Sequence, residues 1–321
     1  MSRIYEALQK AESERKLERH ERESFAPEQI ASSHIPASTA SAVAEDYDAA
    51  SMQAVTGRLT ETLEPSSFSH ERVSGLDMNK IARRQWSPVL SQLPSLLDRG
   101  PSVEQFRSLR SRIYELRDIS PLKSILVSSG LPQEGKSFIS ANLAVSLARH
   151  KNSRVLLIDG DMRRYTAHEI LGCESQPGLA EYLAGKSSIE EVMQRAETTE
   201  TNGSGKFYLT NLTFIPGGNG GDKAADLSGN PRFGELIKLA EPHFDWIIVD
   251  SSPVLPVSDA VNLARSCDGV LLVARGGVTK FPVAQRAASE LKASNVLGFV
   301  LNAVEDKQQV GDYYGYNASR E

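Results

Sequence analysis

The chain has 321 residues, 40% hydrophobic and 24% charged, with a formal net charge of −5, enough for one large domain or two small ones with a full core. The mild acidity gives nucleic acid no electrostatic footprint, and the two cysteines, Cys173 and Cys267, lack CxxC or Cys/His spacing, which excludes a disulfide framework and a structural zinc site and fits a reducing cytoplasm. No run approaches the ~18 apolar residues of a membrane span, and the opening "MSRIYEALQKAESERKLERHERES" is charged throughout with no apolar signal core, so direct membrane insertion is not expected and any tie to a membrane runs through a partner.

Residues 1–22 read as an N-terminal helix and possible docking segment, with Ser2 at the N-cap and Ile4, Tyr5, Leu8 and Ala11 on one short apolar face. That pattern suits a marginal solvated helix or a docking peptide that folds on a partner. Residues 23–85 are rich in Ala, Ser, Pro and acids and have no period. They read as a flexible linker that cannot bury enough apolar surface to offset its ordering entropy. The basic cluster Lys80, Arg83 and Arg84 reads as part of that solvated linker.

Order is expected from residue 86. Ser102 and Gln105 have capping-box spacing, and Val103, Phe106, Leu109, Ile113 and Leu116 recur at helical intervals. The opposite face carries Glu104, Arg107 and Arg110 at steps of three, which allows one i,i+3 ion pair and leaves an arginine free. Spacing alone leaves this as either a solvated ion-pair face or a contact surface.

Beyond it, short apolar runs alternate with amphipathic helices. The runs are 123–129, 154–159, 212–217, 245–250, 269–275 and 296–304; the helices are 136–150, 188–196, 232–241, 258–266 and 280–293. Runs that are apolar at nearly every position and separated by helices describe a mostly parallel sheet covered on both faces, a doubly wound α/β domain over 86–304. Residues 305–321 read as a flexible tail, and it holds three of the nine tyrosines, Tyr313, Tyr314 and Tyr316.

The chemistry concentrates at three strand ends. After the first run comes "GLPQEGKS", Gly130 to Ser137, which satisfies G-x-x-x-x-G-K-[ST] with a strand before it and a helix after it. Such a loop turns its backbone N–H groups toward an anion at a helix N-terminus. Gly130, Gln133, Glu134, Gly135, Lys136 and Ser137 are therefore the expected ATP-binding residues, with Lys136 reaching the β/γ-phosphates and the Ser137 hydroxyl available to Mg²⁺. The next run ends in "LLIDGDMRR", placing Asp159, Asp161 and Arg163 at the same mouth, where helix capping is the alternative role for the aspartates. A third run ends at Asp250 in "WIIVDSSPVLPVSDA", an acid that orients Mg²⁺ directly or through water. Lys136, Ser137, Asp159, Asp161 and Asp250 together describe a Mg·ATP site, with the Ser137 hydroxyl and Asp250 available to the metal.

The combination of "GLPQEGKS", "LLIDGDMR" and "IIVDSSP" with a tyrosine-bearing tail resembles the bacterial tyrosine kinases of capsular and exopolysaccharide systems, over about residues 86–316. The resemblance implies a P-loop fold of the ParA/MinD-like type and ATP-dependent autophosphorylation of Tyr313, Tyr314 and Tyr316. It makes Lys136, Asp159, Asp161 and Asp250 catalytic, with Asp159 the base that takes the phenolic proton and Asp161 and Asp250 on the metal side with Ser137. "EQFRSLR" is similar to the family's E-x-x-R-x-x-R motif, implying that Glu104, Arg107 and Arg110 build a homo-oligomeric ring with transfer in trans. It further implies a separate transmembrane adaptor or polysaccharide co-polymerase, a cognate tyrosine phosphatase, and a cytoplasmic protein recruited to the inner face of the membrane. Ser252 stands where the family's third motif carries a proline, a change expected to loosen that loop. Two other functions share parts of the pattern. A ParA/MinD-type ATPase is disfavoured by Leu131, where that class carries a signature lysine; a non-catalytic ATP-binding regulator of a polysaccharide polymerase is the other.

Overall fold

The computed structural model describes residues 76–150, 153–197 and 209–304. The N-terminal helix, residues 23–75 of the linker and the tail with Tyr313, Tyr314 and Tyr316 lie outside the described residues.

In chain order the elements are β1 (Ala82–Arg84), α1 (Pro101–Ile119), β2 (Ser124–Ser129), α2 (Lys136–Ala148), β3 (Val155–Asp159), α3 (Ala167–Leu171), α4 (Leu179–Leu183) and α5 (Ile189–Val192). There follow β4 (Gln194–Ala196), β5 (Leu212–Ile215), α6 (Ala224–Ser228), α7 (Arg232–Ala240), β6 (Trp246–Asp250), α8 (Asp259–Ala264), β7 (Gly269–Arg275), α9 (Phe281–Glu290) and β8 (Val296–Asn302). The strands form one eight-stranded sheet in the order β1-β4-β5-β3-β6-β2-β7-β8. The six strands from β5 to β8 pair in parallel, as the unbroken apolar runs require.

Successive side chains of each central strand enter opposite cores. Leu126, Leu156, Ile247 and Val249 meet α7 and α8 through Phe233, Ile237 and Leu263. Ile125, Leu157 and Ile248 meet α1 and α2 through Phe106, Ile113 and Leu143. All seven of these aliphatics from β2, β3 and β6 are buried, so register is set by two hydrophobic faces at once.

Three expectations change. The helix expected over 188–196 stops at Val192, and Gln194–Ala196 forms β4, antiparallel to β5. A Ser188–Glu191 capping box starts that helix, but Met193 is already extended and the following residues satisfy their backbone on a sheet edge. The end of the segment read as linker, residues 76–85, is part of the fold: β1 pairs with β4, and Leu76 and Ile81 are buried. Trp86 continues this, buried and edge-on to Phe214 at 6.3 Å. Arg84 of the basic cluster pairs with Glu174 rather than being solvated alone. Finally, the N-cap of α1 is Gly100, with Pro101 at the first helical position. Ser102 lies inside the first turn, and the fixed proline φ starts the helix without a side-chain cap.

Among the described residues no helix is long and apolar enough to cross a membrane.

Candidate functional site: a phosphate loop facing acid-tipped strands

β6 lies between β3 and β2, with Asp159 opposite Asp250 in the β3–β6 register and Val127 opposite Asp250 on the other side. Parallel pairing therefore brings the phosphate loop after β2 and both acid-tipped strand ends to one rim of the sheet.

The loop's shape depends on Gly135. Its φ is +98°, a conformation L side chains rarely adopt, and a Cβ there would stand 2.0 Å from Asn302 Nδ2. Asn302, at the end of β8, fills that space and donates to the Glu134 carbonyl at 3.0 Å. Glu134 is buried, and its carboxylate accepts from the Leu131 N–H at 2.8 Å and from the Thr279 hydroxyl. Of the expected nucleotide residues, Glu134 thus braces the loop from behind, and Gly130 packs on Val283 of α9. Gln133, Gly135, Lys136 and Ser137 line the cavity. Gly135→Ala is expected to cost about 1–3 kcal/mol through backbone strain and to weaken ATP binding as Asn302 is displaced; thermal denaturation and calorimetric titration measure the two effects.

The cavity measures about 480 Å³ and extends from Lys136 and Ser137 to Asp161, Arg163 and Ser252, within the range of small-ligand sites. Lys136 is largely buried at the start of α2, where the helix N-terminus adds partial positive charge. Asp161 is the carboxylate in the wall, and its Oδ1 accepts from the Arg164 N–H at 3.1 Å. Arg163 is held by Asp259, its Nε donating at 2.7 Å to a carboxylate that is almost wholly buried. Asp259, Asn302, Thr279 and Thr166, which donates to Ser137 Oγ at 3.4 Å, belong to the site without any motif to mark them.

Asp159 does not line the cavity. Its two oxygens accept from the Asp161 N–H at 3.1 Å and the Ala167 N–H at 3.2 Å, and it is fully buried. Burial, followed by the charge of Asp250, raises its carboxyl well above the ordinary value. Asp161 lines the cavity, and Asp159, the base that the resemblance implies, stands behind it and holds the Asp161 turn.

Asp250 is also fully buried. Its Oδ1 accepts from Ser140 Oγ at 3.1 Å, and its Oδ2 has no hydrogen-bond partner. Burial pushes this carboxyl up to about 6, against the lowering effect of the Lys136 charge. A carboxyl raised on folding contributes stability that is fully present below its unfolded value of about 3.9 and lost as pH rises through about 6. The melting midpoint of nucleotide-free protein is therefore expected to fall between about pH 4 and about pH 6.5 more steeply than that of Asp250→Asn. Equal slopes in the two proteins would contradict this.

The unmet Oδ2 of Asp250 and the Ser137 hydroxyl fit a hard cation. Among the described residues no cluster of three His, Cys, Asp or Glu side chains could hold a metal by itself, so remaining ligands would come from phosphate and water, as is usual for Mg²⁺.

The third-motif loop around Ser252 is tied to β2 by three hydrogen bonds. Ser251 Oγ donates to the Val127 carbonyl at 2.9 Å, Ser128 Oγ to the Ser252 carbonyl at 2.8 Å, and the Val254 N–H to the Ser129 carbonyl at 2.9 Å.

Glu104, Arg107 and Arg110 lie on α1, and Arg110 meets α2 at Ser146, about 15 Å along that helix from the phosphate loop. Arg107 pairs with Glu104 at 2.5 Å. Arg110, expected to be free, donates to the Ser146 carbonyl at 2.8 Å near the C-terminus of α2, where exposed carbonyls favour a cation.

An AAA-domain family model matches residues 130–277. The tyrosine-protein kinase Wzc of Salmonella typhimurium is 33% identical over 219 residues, covering 67% of this chain and 28% of Wzc. The kinase domain of the Escherichia coli tyrosine kinase ETK superposes with a TM-score of 0.58 at 30% identity, covering 67% of this chain and 80% of that one. The BceF tyrosine kinase domain gives 0.55 at 27% identity, covering 69% and 91%. The chain spans roughly a quarter of the length of the curated relatives it matches.

Proposed function

The chain belongs to the bacterial tyrosine kinases, and from that premise we propose that it transfers the γ-phosphoryl group of Mg·ATP to tyrosine hydroxyls, with Tyr313, Tyr314 and Tyr316 of its own tail as acceptors. The observation that carries this reading is the meeting of Lys136, Ser137 and Asp161 in one cavity, with Asp250 buried beside them.

Phosphoryl transfer needs in-line placement, charge neutralisation and a destination for the phenolic proton. The loop amides and Lys136 hold and neutralise the phosphates. Mg²⁺, when bound by Ser137 and Asp250, supplies Lewis-acid neutralisation of phosphate oxygens. Arg163, fixed by Asp259, adds positive charge to the cavity wall. A phenol with a pKa of about 10 remains protonated at neutral pH, so a carboxylate must orient it and accept its proton. Asp161, which the cavity reaches, takes that role. Asp159 fixes the Asp161 turn through its bond to the Asp161 N–H.

The tail leaves at Val304, and the ten residues to Tyr314 extend to at most about 35 Å, long enough for the chain's own site or a neighbour's. Transfer in trans within a homo-oligomeric ring assembled through Glu104, Arg107 and Arg110 is the arrangement we propose, regulating capsular or exopolysaccharide synthesis or export. A separate transmembrane adaptor recruits the protein to the cytoplasmic face of the membrane, and a tyrosine phosphatase resets it. The test is incubation of the purified chain with Mg·ATP, with and without a peptide from the adaptor's cytoplasmic end, followed by phosphosite mapping. Phosphotyrosine on the tail, absent when the three tyrosines are phenylalanine, is the expected result. ATP binding without phosphotyrosine in either arm would leave a nucleotide-binding regulator instead.

A further inference from the structure

Ser252 is 1% exposed and stands in the wall of the nucleotide cavity, two residues past Asp250. Its carbonyl accepts from the Ser128 hydroxyl at 2.8 Å, yet its own Oγ has no hydrogen-bond partner. The neighbouring hydroxyls are all engaged: Ser128 on Ser252, Ser129 on the Leu131 carbonyl at 2.7 Å, and Ser251 on the Val127 carbonyl. A buried hydroxyl left unpaired costs about 1–3 kcal/mol, so its retention needs a reason.

The second unmet atom at this strand end is Asp250 Oδ2. The two differ in what they can take. A carboxylate oxygen accepts or ligates a cation, whereas a hydroxyl is able to donate to an anion. Both lie at the end of β6, across from the loop that presents Lys136. A bound nucleotide phosphate with its cation would meet both needs.

We propose that Ser252 is a phosphate-positioning residue whose Oγ donates a hydrogen bond to an oxygen of the terminal phosphoryl group of ATP, reached by rotation about χ1 into another staggered well. The terminal group is favoured over the β-phosphate because Ser252 belongs to the β6 loop with Asp250, while Gln133 to Ser137 form the phosphate loop that cradles the inner phosphates. A proline at this position has neither a hydroxyl nor an N–H to offer. The assignment rests on the nucleotide-site part of the proposed function and is independent of whether the acceptor is tyrosine.

The test compares Ser252→Ala with wild type as full chains, titrated with Mg²⁺ plus either a non-hydrolysable ATP analogue or ADP, alongside melting of the nucleotide-free proteins. Loss of a charge-assisted bond is expected to weaken analogue binding about 10-fold and to leave ADP binding unchanged. The nucleotide-free melting midpoint should hold or rise, because the variant removes an unpaired buried hydroxyl. Unchanged analogue affinity, or an equal loss for both nucleotides, would overturn the assignment. So would a lower nucleotide-free midpoint with analogue affinity intact, which marks the hydroxyl as structural. Because binding is the readout, a chain that binds the analogue but makes no phosphotyrosine defeats the kinase reading alone.

Discussion

Lys136→Met is expected to lower phosphoryl transfer about 10²–10³-fold, the usual consequence of removing one preorganised charge from a developing anion, and to weaken ATP binding as well. Lys136 is largely buried at the N-terminus of α2, so no solvent compensates for its loss. The substitution has a second effect, on the chain's own acid. The Lys136 charge holds the Asp250 carboxyl down against its burial; without it that carboxyl rises further above about 6 and holds its proton over more of the neutral range. The defect in nucleotide binding should consequently shrink between about pH 6 and about pH 9, a profile that simple loss of a phosphate contact does not produce. Transfer rates and calorimetric affinities across that range test both parts. Lys136→Met protein with unimpaired transfer would show that the phosphates are not gripped by this loop.

The second large effect separates two carboxylates that stand two residues apart. Asp161→Asn is expected to reduce transfer by about 10²–10⁴-fold, the typical worth of a positioned acid–base group, with ATP affinity changed far less. Asp159→Asn should stay within about tenfold of wild type, since an amide oxygen can still accept one of the two backbone N–H groups that Asp159 now holds. The distinction comes from access: Asp161 lines the cavity, and Asp159 is sealed behind it with both oxygens occupied. Single-turnover rates at saturating Mg·ATP decide the matter. The reverse pattern, a large loss for Asp159→Asn and a small one for Asp161→Asn, would restore Asp159 as the base and require the turn to open when substrate binds.

Much of the fold was legible along the chain because its central strands are buried on both faces. Such strands must be apolar at nearly every position, and β2, β3, β6 and β7 read that way. The edge of the sheet was not legible in the same way. β1 and β4 have three residues each, too few to show a period, and their pairing with each other depends on segments more than a hundred residues apart. Local pattern favoured a linker for one and a helix for the other, and neither Leu76 nor Ile81 reveals its burial until β4 is in place.

What the sequence determined by itself is the set of groups present: a phosphate loop and acids at strand ends, recognisable because a short run of residues must satisfy a local backbone requirement, and three tyrosines near the end of the chain. Only the tertiary structure decided where those groups stand and what holds them there. Glu134 sits inside the phosphate loop in sequence but bonds Thr279, while Asn302 fills the space that Gly135 leaves. Arg163 owes its position to Asp259, and Asp161 rather than Asp159 is turned to the cavity. These assignments depend on which atoms compete for the same buried volume and the same hydrogen bonds, and that competition is between residues distant in the chain.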